Sequence, residues 1–152
     1  MMDLNKQRYI ILEIIPTSND PKTGDIAQLS ALKLDGIKLE GRFDYRLNKD
    51  LIKIPDILDM INYDNDEFKY VSSTKEIIKD FKKFIEDLPL LIIDNEYTNN
   101  YLKNIKNKKE NIFKYLGLEL DDYVFKNLMK KYNLEFSNHY VDLLYEALIK
   151  EL

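Results

Sequence analysis

The sequence predicts a mixed α/β domain in which three antiparallel strands come first and helices then alternate with further strands. One observation is the nearly continuous apolar run from Tyr9 to Ile15, which is typical of a strand buried on both faces. A second is Asp35-Gly36, a hairpin signal between two strand-like segments. A third is a capped helical pattern followed by a short apolar run. A meander followed by such crossovers implies a mixed sheet flanked by helices.

The first half of the chain contains the meander. Pro16 ends the first strand, because proline cannot donate a ladder hydrogen bond. The hairpin strands are predicted over residues 26–34 and 37–47. We expect residues 48–72, which include Pro55, to form an irregular connection.

The second half contains the crossovers. The capping box Ser73-x-x-Glu76 predicts a helix that runs to about residue 87, and an apolar strand is predicted over 90–93. A polar helix then extends to about residue 106, and residues 110–120 fit either a strand or a helix. Helical spacing marks 121–132 and the C-terminal segment with Val141, Leu144, Tyr145, Leu148 and Leu152.

Length and composition indicate one globular domain over residues 1–152. Hydrophobic residues make up 45% of the chain and charged residues 33%, which is ordinary for such a domain. With no apolar run long enough to span a membrane, no secretory leader and no cysteine, we expect a cytoplasmic protein without disulfides or a thiolate zinc site. The net charge of −4 does not indicate nucleic-acid binding, and the lysine-rich runs are interpreted as solvated helix faces.

The beginning of the chain resembles the DEDDh 3′–5′ exonucleases, the family of proofreading polymerase subunits and RNase T. That family carries Asp-x-Glu-Thr-Thr-Gly on its first strand, where residues 13–18 here read Glu-Ile-Ile-Pro-Thr-Ser. The order of the later segments is also similar to the family's: 28–33, 42–48, 54–68, 91–102, 123–134 and the region before Asp142. The resemblance implies an RNase H-like fold over residues 8–152.

The same resemblance implies that most of the metal-binding set has been replaced. The family uses four carboxylates and a histidine to hold two Mg²⁺ ions and activate water. Glu13 takes the place of the first Asp, Ile15 of the Glu, Asn99 of the second Asp and Ser137 of the His; Asp142 matches the final Asp. The remnant catalytic and metal positions are therefore Glu13 and Asp142, with Mg²⁺ or Mn²⁺ as the cofactor of an active enzyme and none otherwise.

Three other polar residues are weighed as substitutes. Asp94 and Glu96 flank the end of the fourth predicted strand, but we interpret them as caps of the following helix. His139 would reach the site only if the last helix began later; we interpret it as an exposed first-turn residue, with Ser137 as the N-cap. Among the aromatic residues, Phe81, Phe84 and Phe125 are assigned to the core, while Tyr63, Tyr97 and Tyr101 are placed near the groove, where base stacking is the alternative.

Two functions follow from this reading. The first is a catalytically degenerate exonuclease-like domain that binds a protein partner, such as a polymerase, a nuclease or a defence complex, or single-stranded nucleic acid. The second is a divergent but active metal-dependent 3′–5′ exonuclease that uses Glu13 and Asp142.

Overall fold

The computed structural model describes residues 1–18, 20, 24–63, 67–135 and 139–152. Within these residues one six-stranded mixed sheet is flanked by helices on both faces. The strands are β1 Arg8–Pro16, β2 Ile26–Asp35, β3 Lys38–Leu47, β4 Lys69–Val71, β5 Leu90–Ile92 and β6 Lys109–Asn111. The helices are α1 Pro55–Met60, α2 Thr74–Ile85, α3 Glu96–Leu102, α4 Ile112–Leu116, α5 Val124–Tyr132 and α6 Tyr140–Glu151. Over the described part of the chain, no helix has the length and apolarity needed to cross a membrane.

The strand order is β4-β3-β2-β1-β5-β6. β1, β2 and β3 pair antiparallel in sequence order, which confirms the predicted meander. β5 then joins the free side of β1 in parallel, and β6 joins β5 in parallel. β1 therefore lies inside the sheet, and this position explains why its sequence is apolar on both faces.

The two faces of the sheet support the two larger of three hydrophobic clusters among the described residues; the third, smaller cluster contains Ile15 and Ile61. Ile11 and Leu32 face a core built with α4, α5 and α6, whereas Ile10 and Leu12 face a core built with α2 and α3. Successive strand residues point to opposite faces, so the alternation in β1 decides which side chain joins which core. Glu13 interrupts the apolar series on the α6 side.

Local signals fix the helix starts as expected. Ser73 Oγ accepts a hydrogen bond from the backbone N–H of Glu76 at 3.1 Å, which confirms the predicted start of α2. Asn95 caps α3 in the same way, through the backbone N–H of Thr98 at 2.9 Å. Gly117, with φ of 64°, ends α4 in the left-handed conformation that glycine adopts without a Cβ clash.

Three sequence predictions need correction. Residues 48–72 are not wholly irregular, since they contain α1 and the edge strand β4. α3 ends at Leu102 instead of about residue 106, and the ambiguous stretch 110–120 holds both the end of β6 and α4. β4 and β6 have three residues each, too few for an alternating pattern to be visible in the sequence.

Candidate functional site

A polar row crosses the centre of the otherwise apolar sheet face beneath α6. Glu13 on β1 is paired with Ser30 on β2, which is paired with Asp44 on β3. Residues paired across neighbouring strands project from the same face, so these three side chains lie side by side. Glu13 and Ser30 are buried, at 4% and 0% exposure. The sheet thus places Glu13, which was predicted to be a remnant catalytic position, beside polar residues of β2 and β3 that no motif marks.

The buried carboxyl group of Glu13 is poorly hydrogen-bonded in this position. Its Oε1 is buried and has no hydrogen-bond partner among the described residues. Burial raises the pKa of Glu13 to about 8, and the negative charge of Asp142 acts in the same direction. The carboxyl group therefore holds a proton near neutral pH in this structure.

Asp142, in the first turn of α6, is bound by an arginine. Arg42 Nη1 and Nη2 donate to its two carboxylate oxygens at 2.7 and 3.3 Å, and Arg42 Nε donates to Asp44 at 3.0 Å. This bidentate arrangement is the strong form of a charge-assisted hydrogen bond. One guanidinium thus pairs with two carboxylates, including that of Asp142, which the resemblance matches to the final family Asp.

A second arginine, Arg46, is fully buried further along β3. Its guanidinium donates to Gln28 Oε1 at 2.8 Å and to the backbone oxygens of Ile61, Asn62 and Tyr63. The same group lies 3.6 Å from the ring centroid of Phe68. Arg46 therefore fixes the segment after α1 at the edge of the site.

His139 belongs to this second cluster. Its ring stacks on Phe68 with a centroid distance of 5.2 Å, and its Nε2 lies 3.8 Å from a Glu67 carboxylate oxygen. The residue is 9% exposed and occupies the N-cap position of α6. The expectation of an exposed first-turn histidine was wrong, because Phe68 from the β4 side covers the ring.

A groove of about 370 Å³ opens beside Glu13, between the end of β1 and helices α3, α5 and α6. Its lining is Glu13, Ile14, Ile15, Pro16, Met60, Ile93, Asn95, Tyr97, Leu120, Asp121, Asp122, Val124, Phe125 and Tyr140, named here the β1 groove. Most of these side chains are apolar. The only charged ones among the described lining residues are acidic, and no lysine or arginine is present.

Of the other positions selected by the family resemblance, Ile15 shares the β1 groove with Glu13, whereas Asn99 is not among the lining residues of that groove. Ile15 is buried, at 6% exposure, and lines the β1 groove. Asn99 is exposed and donates from Nδ2 to Asp94 Oδ1 at 2.7 Å, so these two bind each other. Glu96 is exposed in the first turn of α3, and Ser137 lies outside the described residues. Among the residues described, no group of three or more His, Cys, Asp or Glu side chains is placed to hold a metal ion.

Tyrosines provide the polar surface around Glu13. Tyr97 and Tyr140 both line the β1 groove, and burial raises the pKa of each, with the Glu13 carboxylate acting in the same direction. The other two candidates lie elsewhere: Tyr101 donates to the Gly24 carbonyl at 2.6 Å, and Tyr63 donates to that of Leu47 at 3.1 Å. The prediction of a groove position therefore fits Tyr97 alone.

Several site residues were not identified from the sequence. Arg42, Asp44 and Arg46 alternate with Phe43 and Tyr45, a period of two that indicates one polar strand face. That signal was available, and it would have placed a polar row on β3. Tyr140 carried no comparable signal, because its neighbourhood depends on where α6 begins.

Comparison with known proteins identifies the fold. No protein-family model matches the sequence, and no curated protein sequence does so either. Among solved structures, the zinc-bound complex of Escherichia coli exonuclease I with single-stranded DNA is similar, with a TM-score of 0.62 and 14% identity. A product-bound exonuclease I has a TM-score of 0.63 at 14% identity, and the E. coli enzyme with a dT13 oligonucleotide has 0.59 at 15%.

These alignments cover 96–97% of the present chain but only 40–43% of exonuclease I, so the chain spans about two fifths of that protein's length. The chain has the RNase H-like fold of exonucleases, as the resemblance implied.

Proposed function

We propose that this chain is an exonuclease-like domain that acts by binding a partner and does not hydrolyse nucleic acid. The observation that carries this proposal is the bidentate pairing of Asp142 with Arg42. A carboxylate that serves two metal ions must present free oxygen lone pairs to them. Here Arg42 occupies both oxygens of Asp142 and supplies the positive charge that a metal ion would otherwise bring.

The surroundings of Glu13 support the same proposal. Two divalent cations about 4 Å apart need several negative charges close by. Glu13 faces the alkyl side chain of Ile15, and Asn99 is bonded to Asp94 instead of facing the groove. Glu13 also holds a proton near neutral pH, which reduces its charge further.

The lining of the β1 groove favours a protein partner over a nucleic acid at this site. A phosphate backbone needs cationic or hydrogen-bond-donating contacts, and those contacts supply most of its affinity. The described lining has no lysine or arginine; apart from Glu13, its charged residues are the acidic pair Asp121 and Asp122, and its neutral donors are limited to Asn95, Tyr97 and Tyr140. Such a surface suits an apolar protein segment that carries basic residues, as a polymerase, nuclease or defence complex can provide.

Affinity capture with a groove variant tests this binding role. Met60 and Leu120 are 46% and 38% exposed, so Met60→Asp with Leu120→Asp is expected to leave the fold intact and abolish capture of the partner. The matched control is Ile37→Asp with Ile149→Asp, at two exposed apolar positions outside the groove. Capture should survive nuclease treatment; capture that disappears with nuclease, or that both double variants retain, would contradict the proposal.

A divergent active exonuclease is the second candidate. The observation in its favour is that Glu13 and Asp142 remain close enough for the charge of Asp142 to act on Glu13. This candidate requires Mn²⁺ or Mg²⁺ to displace Arg42 from Asp142. It predicts metal-dependent degradation that Asp142→Asn abolishes.

A further inference from the structure

A second groove lies on the opposite side of the sheet, where α2 and α3 pack. Its volume is about 430 Å³, and its lining is Thr74, Lys75, Ile78, Lys79, Lys82, Tyr101, Asn104 and Ile105, named here the lysine groove. Leu102 and Ile105 join the core of the α2 side, which places this groove away from Glu13 and α6. The charged lining residues are all lysines, the reverse of the β1 groove.

The three lysines are exposed and carry uncompensated charge. Lys75, Lys79 and Lys82 follow each other at intervals of four and three residues, so they form one stripe along α2. Within the described part of the chain, none of the three forms a hydrogen bond or an ion pair. The acidic residues of α2 are Glu76, in its first turn, and Asp80, which accepts from the Tyr45 hydroxyl at 2.8 Å. Glu86, which follows the helix, lies 3.3 Å from Lys33.

The spacing of the stripe suits a polyanion with regularly placed charges. Lys75 and Lys82 are seven residues apart, which is about 10 Å along a helix. Three positive charges spread along one line of that length can contact successive phosphates of one strand.

The remaining lining suits the sugar and base parts of a strand. Ile78 and Ile105 give the groove an apolar floor, and Tyr101 adds an aromatic ring. The side-chain amide of Asn104 is exposed at the rim and offers both donors and an acceptor. Proteins that bind single strands without sequence preference combine a positive groove with aromatic contacts of this kind.

We propose that the lysine groove binds the phosphate backbone of single-stranded nucleic acid. This site is separate from the β1 groove and goes beyond the binding role proposed there. The chain would then hold a strand on its α2 face while the β1 groove remains open to a protein. The overall charge of −4 does not prevent this, because the negative residues lie outside the described lining of the lysine groove.

Fluorescence anisotropy with a labelled oligothymidylate tests the proposal. The variant Lys75→Gln/Lys79→Gln/Lys82→Gln is compared with Lys114→Gln/Lys126→Gln/Lys130→Gln, which removes the same charge from exposed positions on α4 and α5. We expect the first variant to lose about tenfold or more in affinity and to reduce the slope of log K against log salt by about 2. The control should change affinity by less than about twofold.

Other outcomes would overturn the proposal. Equal losses of affinity in both triple variants would assign binding to diffuse surface charge. An absence of binding by the wild-type chain would show that the lysine groove is not a nucleic-acid site. Binding of polyglutamate but not of the oligonucleotide would assign the groove to an acidic protein. Retention of oligonucleotide binding by Met60→Asp/Leu120→Asp is also expected; its loss would place the strand in the β1 groove instead. Circular dichroism melts of each variant confirm folding.

Discussion

Arg42 on β3 holds both carboxylate oxygens of Asp142 on α6, at 2.7 and 3.3 Å, although the two residues are 100 positions apart in the chain. Asp142 is the position at which the sequence matches the final carboxylate of the DEDDh exonucleases. In this fold it joins a helix to the sheet through an ion pair, and Asp44 shares the same guanidinium. The residue that the resemblance matches to the final family carboxylate is thus bound by a structural partner, Arg42.

The ion pair is expected to contribute modestly to stability. In a double-mutant cycle with Arg42→Met and Asp142→Asn, we expect a coupling free energy of unfolding of about 1 kcal/mol, because both side chains are partly solvent-exposed. Urea unfolding of the four proteins measures it. The coupling should fall at high salt; a coupling near zero at low salt would mean that the pair does not form in solution.

The Glu13→Gln substitution should remove the part of the pH dependence of the unfolding free energy that Glu13 causes. The pKa of Glu13 rises from an ordinary 4.5 to about 8 on folding, so the folded state keeps a proton that the unfolded state loses. Stability from this group is therefore fully present below pH 4.5 and falls as pH rises towards 8. The stability of Glu13→Gln relative to the wild-type chain should increase by about 1.4 kcal/mol per pH unit in that window.

Urea unfolding at several pH values between 5 and 8 checks this slope. Glu119→Gln, at an exposed position, is the matched control and should show no such trend. A wild-type chain that gains stability relative to Glu13→Gln as pH rises would show that Glu13 is ionised and well partnered in the folded state.

Arg46→Met should be strongly destabilising. The substitution keeps an unbranched side chain but leaves Gln28 and three backbone carbonyls of residues 61–63 without their donor. We expect a loss of at least about 3 kcal/mol in the free energy of unfolding, because buried acceptors lose their partners. Arg8→Met, which removes an exposed ion pair with Glu40, should cost far less. Equal effects in thermal melts would contradict the bridging role of Arg46.

Divalent metals should leave thermal stability unchanged. Specific binding to the native state raises Tm, because it adds RT ln(1 + L/Kd) to the free energy of unfolding, where L is the free ligand concentration. Because Arg42 occupies Asp142, we expect the same Tm in MgCl₂, in MnCl₂ and in EDTA at matched ionic strength. A Mn²⁺-dependent increase that Asp142→Asn removes would indicate that the metal competes successfully with Arg42.

The sequence was sufficient for the central architecture of the fold. The apolar run of β1, the Asp35-Gly36 turn and the Ser73 capping box are local signals, and each corresponds to an observed element. β4 was missed, and a strand was only one of two alternatives for the stretch that holds the end of β6. Both are three residues long and lack the apolar run that marked β5, and each forms by pairing with a neighbour about 20 residues away in the chain. Strand pairing between separate segments produces no periodic pattern in the sequence of either strand.

The site could be predicted in part. Matching to a family motif selected Glu13, Ile15 and Asp142, and the structure places Glu13 and Ile15 on one groove. The partners of the site residues were not predictable, since Arg42 reaches Asp142 across a separation of 100 residues and Phe68, just before β4, covers His139. Asn99 illustrates the limit of motif matching, because its amide donates to Asp94 and the residue is not part of the β1 groove lining.

Degradation of 3′-labelled single-stranded DNA and RNA in Mn²⁺ tests the loss of hydrolysis most directly. The assay compares the wild-type chain with Asp142→Asn, with Glu13→Gln and with the control Asp94→Asn, which changes an exposed carboxylate. We expect no degradation by any of the four proteins above the level of a mock preparation. Degradation by the wild-type chain and by Asp94→Asn that disappears in both Asp142→Asn and Glu13→Gln would show that these two carboxylates still form a working metal site.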